Sequence, residues 1–298
     1  MDKKKQKILR DLIEAVLVFF IIFILVLTNQ FNAFDYILRD RLYQIPRGVS
    51  SAIKIIAIDD KTIEAYGPVN TWSREIYADL INILNSNENA KPDVIAFDIL
   101  FSGNVDEGDK LFAKAAEESG NVVVDAHFIY EDKQEKNAKG ITYYPVKDAV
   151  FAYDELNDVV RVGYSNISQD SDKVVRRVHY EETYNGQKYN IFSREVYEVY
   201  REQNNLPEVE IPTDKYGRTL INYSGKPGDY EAISLVDVIE GKIDPRAFKD
   251  SIVIVGAYAN GMQDNFYVPN GGSRQMFGVE IHANIVQSFM QGRFSING

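Results

Sequence analysis

Three short apolar runs constrain this chain more than any other feature. Ile53-Lys54-Ile55-Ile56-Ala57-Ile58 leads into Asp59-Asp60, Asp93-Val94-Ile95-Ala96-Phe97-Asp98 ends on an aspartate, and Ser251-Ile252-Val253-Ile254-Val255-Gly256 ends on a glycine. Near-continuous apolar runs of this length belong to strands buried on both faces, as in parallel sheets. Between the first two, residues 61–72 read as a connection containing Gly67-Pro68. Ser73 is then placed to cap a helix with Ile76, Tyr77, Leu80, Ile81 and Leu84 on one face. After the break at Lys91-Pro92 and the second run comes a third unit: a helix from about Asp109 to Glu118, Gly120, and a strand from Asn121 to Val124. This alternation predicts an α/β fold, a mainly parallel central sheet with helices on both faces.

The middle of the chain is different. Residues 130–140 are highly charged and read as a surface loop, and Val174 to Tyr180 carries an alternating pattern. Asn185-Gly186 is a strong two-residue turn signal, which predicts an inserted or appended β-hairpin region. A helix over Ile191 to Arg201 follows, then a linker-like stretch from Pro207 to Pro212 and a strand at Thr219 to Tyr223. Ser234 is placed to cap a short helix, Leu235 to Glu240, and Gly278 to Met290 reads as a helix closed by Gly292. The chain has no internal repeat, and one domain is expected rather than two.

Five basic residues (Lys3, Lys4, Lys5, Lys7 and Arg10) precede an apolar run from Leu12 to Leu27 that Glu14 alone interrupts. Basic residues stay on the cytoplasmic side of a membrane helix, so the chain beyond is expected outside. The run is short against the roughly 20 residues a span needs, and Thr28 to Phe34 extend it. No small-residue cleavage site follows, which favours an uncleaved anchor over a signal peptide. The expected organisation is a cytoplasmic basic segment at 1–11, a transmembrane helix at 12–33, an extracytoplasmic domain at 34–292, and a stub at 293–298 leading toward a next membrane helix.

The formal charge is −11; the first 11 residues carry five positive and two negative charges, leaving −14 for the rest. An acidic domain lacks the clustered Lys and Arg that nucleic acid requires, so no nucleic-acid partner is expected. The chain has no Cys, which excludes a disulfide framework and a thiol nucleophile. With only three His beside it, a structural zinc site is not expected either.

Asp59 and Asp98 both end apolar strands, at the carboxyl edge where open parallel sheets gather ligands. The pattern imitates a receiver domain, but one helix pattern stands between Asp60 and Pro92 where a receiver needs two helices and a strand. No Lys-Pro follows the last run, and an exported domain meets no cytoplasmic phosphodonor. Dehalogenase-type phosphatases are excluded by Lys61 in the place of their second aspartate. Asp264 follows the last run and is able to join Asp59 and Asp98; three carboxylates would suit Ca²⁺ or Mg²⁺. The alternative is that each Asp caps a helix or loop. Arg74, beside the only Trp, Trp72, opens a helix where the dipole disfavours it, so a carboxylate partner is expected, Asp98 or Asp59. A structural salt bridge is favoured there over substrate binding. His282 lies near a helix start without a paired His, since His127 and His179 are isolated, and reads as a packed, hydrogen-bonded residue. No Gly-x-Ser-x-Gly elbow, P-loop or dinucleotide fingerprint is present, so no catalytic machine is recognised.

In order, "IIAIDD", "TWSREIYADLINIL", "PDVIAFDILF", "DEGDKLFAKAAEESGNVVV", "VGYSNISQDSDKVVRRV", "FKDSIVIVGAYANGMQD" and "MFGVEIHANIVQSFMQG" resemble the second CHASE family, sensory extracellular domains associated with cyclases and histidine kinases. The resemblance runs from about Phe34 to Gly292. It implies a location outside the membrane after one N-terminal helix, with further membrane helices leading to a cytoplasmic cyclase or kinase output. The family's recurring positions fall on Asp59, Arg74, Asp98, Asp109, Gly163, Arg176, Gly256, Asp264, Gly278 and His282. Its usual "PWPR" reads Thr71-Trp72-Ser73-Arg74 here, without the prolines. No ligand comes with the resemblance.

The expected function is therefore a membrane-anchored extracytoplasmic sensory input domain of a bacterial receptor, without catalysis of its own and commonly working as a homodimer. A small ligand or cation is expected near Asp59, Trp72, Arg74, Asp98, Asp264 and His282. The competing readings are an exported metal-dependent hydrolase using the acidic cluster, and a purely structural coupling domain.

Overall fold

The structure is a computed structural model that describes residues 3–28, 36, 38, 40, 44, 46–137 and 139–296. The chain divides into two units, Met1–Gln44 and Ile45–Gly298. The first contains α1 (Lys3–Leu27), whose apolar side chains from Leu12 to Leu27 are exposed except for the partly exposed Leu25. Arg10, Asp11 and Glu14 interrupt its apolar character, so the charge-free part, Ala15 to Leu27, is about 20 Å long at ~1.5 Å per residue. Among the described residues no helix is long and apolar enough to cross a membrane. Residues 29–33 of the expected span lie outside the described residues.

The second unit runs β1 (Ile53–Ile58), α2 (Asp60–Tyr66), α3 (Glu75–Leu84), β2 (Val94–Asp98), α4 (Gly108–Ser119) and β3 (Val122–Tyr130). The middle section holds β4 (Glu135–Lys136), β5 (Thr142–Tyr143), β6 (Val146–Val150), α5 (Asp154–Asn157), β7 (Arg161–Tyr164), β8 (Arg177–His179), β9 (Glu181–Tyr184), β10 (Gln187–Asn190) and α6 (Phe192–Gln203). The last section supplies β11 (Arg218–Leu220), β12 (Glu231–Ser234), α7 (Leu235–Ile239), β13 (Ile252–Ala257), β14 (Asn265–Phe266), β15 (Met276–Phe277) and α8 (Gly278–Met290).

The main sheet has the order β12-β1-β13-β2-β3, and β3 pairs further with both β6 and β7. Every pair in it is parallel except β3 with β6. Alternate residues of these strands feed two cores. Ile56, Ile95, Phe97, Val124, Val253 and Val255 pack against α3, α4 and α7, where Tyr77, Phe97, Phe101 and Phe112 meet edge to face or tilted. Ile55, Val94, Ala96, Val123, Ile252 and Ile254 pack on the opposite side against Phe192 and Val196 of α6 and Val279, Ala283 and Val286 of α8. Each fully buried side chain of this size contributes about 1.5–3 kcal/mol, which fixes the strands' order and facing. The parallel sheet with helices on both faces is thus present.

Several boundaries differ from expectation. The 61–72 connection contains α2, a short helix whose N-terminus Asp59 caps, and a turn of 3₁₀ helix at Val69–Thr71. The third strand does not stop at Val124 but runs to Tyr130. Part of the charged 130–140 stretch pairs as β4 with β5. β12 was hidden in a polar sequence because it is an edge strand with Glu231 and Ala232 exposed. Asn185 and Gly186 both take positive φ, 50° and 78°, as a tight turn joining β9 to β10 requires.

Candidate functional site

A row of residues crosses the sheet at its carboxyl edge, on the side covered by α6 and α8. Ala57 faces Gly256, and Gly256 faces Asp98. The β2–β3 register, Phe97 with Val124, sets Asp98 beside Asp125, and Asp125 faces Gly163. Two glycines therefore flank two aspartates. A Cβ on Gly256 would lie 3.0 Å from Val279 of α8, and one on Gly163 would lie 2.6 Å from the Cα of Phe192 in α6. Without side chains at these two places, both helices start directly over the aspartates.

The helices bring their own polar groups to the row. His282 of α8 is buried, with Nδ1 2.6 Å from Ser193 Oγ of α6 and its ring edge-on to Phe192. Its Nε2 lies 3.9 Å from Asp98 Oδ1, beyond hydrogen-bond length. Ser165 Oγ, just past β7, donates to Asp125 Oδ2 at 2.9 Å. Gly278, the first residue of α8, sits under Asp264, where a Cβ would run into the carboxylate. Six of the expected residues, Asp98, Gly163, Gly256, Asp264, Gly278 and His282, thus share one region.

These acids are short of compensation. Asp98 Oδ2 and Asp125 Oδ1 are buried and have no hydrogen-bond partner among the described residues. Burial raises the Asp98 pKa well above the usual carboxylate range, and Asp264 and Asp125 push it further. Burial lifts Asp125 to about 7 against the pull of Ser165, and it also raises Asp264, opposed by the Gly278 N–H. His282 moves the other way, down to about 4, because burial disfavours its charged form while a bond to the Ser165 backbone resists. The imidazole is neutral at pH 7 and supplies no counter-charge. Asp98 and Asp125, adjacent and buried without a cation, therefore resist ionising together.

The other expected residues lie elsewhere, each held by local bonds. Asp59 Oδ1 accepts from Thr62 N at 2.9 Å, Thr62 Oγ1 at 2.7 Å and Ser234 Oγ at 2.8 Å. It stands two strands from Asp98, about 10 Å at sheet spacing, with β13 between. Its role is the capping alternative. Ser234 spends its hydroxyl on Asp59 and makes no side-chain cap on α7. Arg74 makes a buried salt bridge, but with Asp109, at 2.9 Å, rather than Asp98 or Asp59. It also donates to the Gly103 and Ser102 carbonyls and stacks on Tyr153, so it pins the loop after β2 onto α4. Trp72 is buried against Tyr66 and Tyr77, with Nε1 donating to the Gly67 carbonyl. Arg176 grips Asp172 with two 2.8 Å bonds.

Asp59, Asp98 and Asp264 do not form one constellation, and among the described residues no group of three His, Asp or Glu is arranged to hold a metal ion. Asp125 is the residue the sequence reading missed. Its signal was available: an acid interrupts Val122-Val123-Val124-Asp125-Ala126 at the same point in the third strand where Asp98 ends the second.

Fold and site define an α/β domain whose polar centre is closed from solvent beneath two helix starts. The chain matches the CHASE2 domain family over residues 15–297, nearly its whole length, and belongs to that family, whose members are sensory extracellular domains of signalling receptors. Neither a curated protein nor a solved structure matched the chain. Asp98, Asp125, Gly163, Gly256, Gly278 and His282 make up the closed centre, with the half-buried Asp264 at its margin, and Arg74 with Asp109 makes the loop clamp.

Proposed function

We propose that this chain is the membrane-anchored, extracytoplasmic input domain of a bacterial signalling receptor, with no catalysis of its own. The observation that carries the reading is the burial of the Asp98–Asp125–His282 centre under α6 and α8. A reaction site must admit substrate to its acids and bases, whereas here the Asp98 and His282 side chains are 9 % and 1 % exposed. Such a centre suits a domain that holds two packings of α6 and α8 in balance, biased by whatever binds one of them better. A cyclase or kinase output and action as a homodimer belong to the same reading.

The anchor is α1. Its apolar side chains, Leu25 apart, are exposed round the helix, as suits a lipid rather than a water surface. Its charges are confined to the basic end, where Arg10 lies 3.6 Å from both Asp11 and Glu14 and long stems reach the interface. Residues Thr28 to Phe34 supply the remaining length in sequence.

Hydrolysis assays on the full chain in detergent test the absence of catalysis. With nitrophenyl phosphate mono- and diesters, in Ca²⁺, Mg²⁺ or EDTA, the expected result is no turnover above buffer and a melting temperature indifferent to all three. Turnover that Asp98→Asn abolishes would overturn the reading in favour of a metal-dependent hydrolase.

A further inference from the structure

A second polar centre, which shares no lining residue with Asp98, Asp125 or His282, lies in the middle section. β5, β7, β8, β9 and the turn before β11 border a cleft of about 1140 Å³. Tyr130, Tyr143, Tyr144, Tyr164 and Tyr216 line it. Small-molecule sites are concavities of this kind, with aromatic walls and a few placed polar groups.

Glu182 of β9 faces the cleft, and among the described residues no Lys or Arg pairs with it. Its side chain is 20 % exposed. Tyr130 hydrogen-bonds it, yet burial still lifts its carboxyl to about 7. The neighbouring His179 Nδ1 is 3.7 Å away, and burial together with Arg218 lowers that imidazole's pKa, which leaves it neutral. The other charges at the cleft are engaged or peripheral. Glu181 bonds Lys188. Arg218 is clasped by Asp214 and lies 4.6 Å over the Tyr216 ring, with Lys215 Nζ at 4.9 Å from the same ring. Lys139 is on the exposed rim. A carboxylate desolvated without a cation is costly, and tyrosine faces attract cations.

We propose that this cleft binds a small organic cation, its ammonium group on the Glu182 carboxylate and its carbon skeleton against the tyrosine rings. Binding is a property of the cleft alone; only its meaning as an input signal rests on the sensory reading. A cation that settles there replaces the missing counter-charge and covers Tyr144, now 49 % exposed.

Calorimetric titration of the full chain in non-ionic detergent at pH 8 tests this, with choline against its neutral carbon isostere and pentylammonium against pentanol. The expected result is saturable binding of at least one cation, with its neutral counterpart about tenfold weaker or worse. Glu182→Gln should erase that preference, and Tyr144→Ala, a rim change that leaves the core intact, should weaken cation binding by several fold. The proposal is overturned if neither cation saturates, if a neutral partner binds as well as its cation, or if both variants bind like the parent. None of these results depends on a signalling output, so failure here leaves the topology of the domain to be judged separately.

Discussion

Gly256 and Asp98 are register partners on adjacent parallel strands, and the missing side chain of the first lets α8 settle onto the second. Gly163 does the same for α6 beside Asp125. The two sites differ in what a methyl group would strike. At Gly163 it meets the Phe192 backbone, which cannot swing aside, whereas at Gly256 it meets the Val279 side chain first. Gly163→Ala should therefore cost more stability than Gly256→Ala, with overpacking of about 1–3 kcal/mol for the former. Urea unfolding midpoints check the order, and the reverse order would count against this packing.

Asp125 gives the domain an unusual pH dependence. Its ordinary pKa is 3.8 and its folded value is about 7, so the folded state holds the proton across that window while the unfolded state releases it. Its contribution is fully present below pH 3.8 and is lost as pH rises through about 7. At ~1.4 kcal/mol per unit, the loss is about 4 kcal/mol at most. Asp125→Asn should remove this slope and be more stable than the parent at pH 8, measured by thermal unfolding across pH. A variant less stable at pH 8 with an unchanged slope would contradict the assignment.

His282 acts in the opposite direction. Its folded pKa is about 4 against an ordinary 6.5, so acid charges the unfolded chain first. Stability is lost as pH falls from 6.5 toward 4, by roughly 3 kcal/mol at most. His282→Gln should flatten the acid limb in the same unfolding series, although it loosens the Ser193 contact.

Arg74 and Asp109 should behave as one unit. Removing either leaves a buried charge alone, which costs about 3–5 kcal/mol. Arg74→Ala, Asp109→Ala and the double change form a cycle in which the double should lose clearly less than the sum of the singles. Additive losses would mean that the salt bridge contributes little.

The inner strands were legible because burial on both faces leaves an uninterrupted apolar run, and the Asn185-Gly186 turn because few residues accept its backbone. What escaped was whatever depends on contacts distant in sequence. Arg74 announces a carboxylate partner, but nothing local says that Asp109, on the next helix, takes it rather than Asp98. Ser234 looks like a helix cap and instead donates across to Asp59. α2 hides in a polar stretch because Thr62 is the one residue it buries. The tyrosine cleft was invisible because its walls come from several short, separate segments.

Cysteine accessibility in intact cells tests the membrane-anchored extracytoplasmic reading most directly. The native chain contains no Cys, so Lys7→Cys and Lys249→Cys each carry one reporter, the second at a side chain 54 % exposed. A membrane-impermeant maleimide should label Lys249→Cys in intact cells stripped of their outer wall, and Lys7→Cys only after lysis. Labelling of Lys7→Cys from outside, protection of Lys249→Cys, or recovery of the chain in the soluble fraction would contradict it.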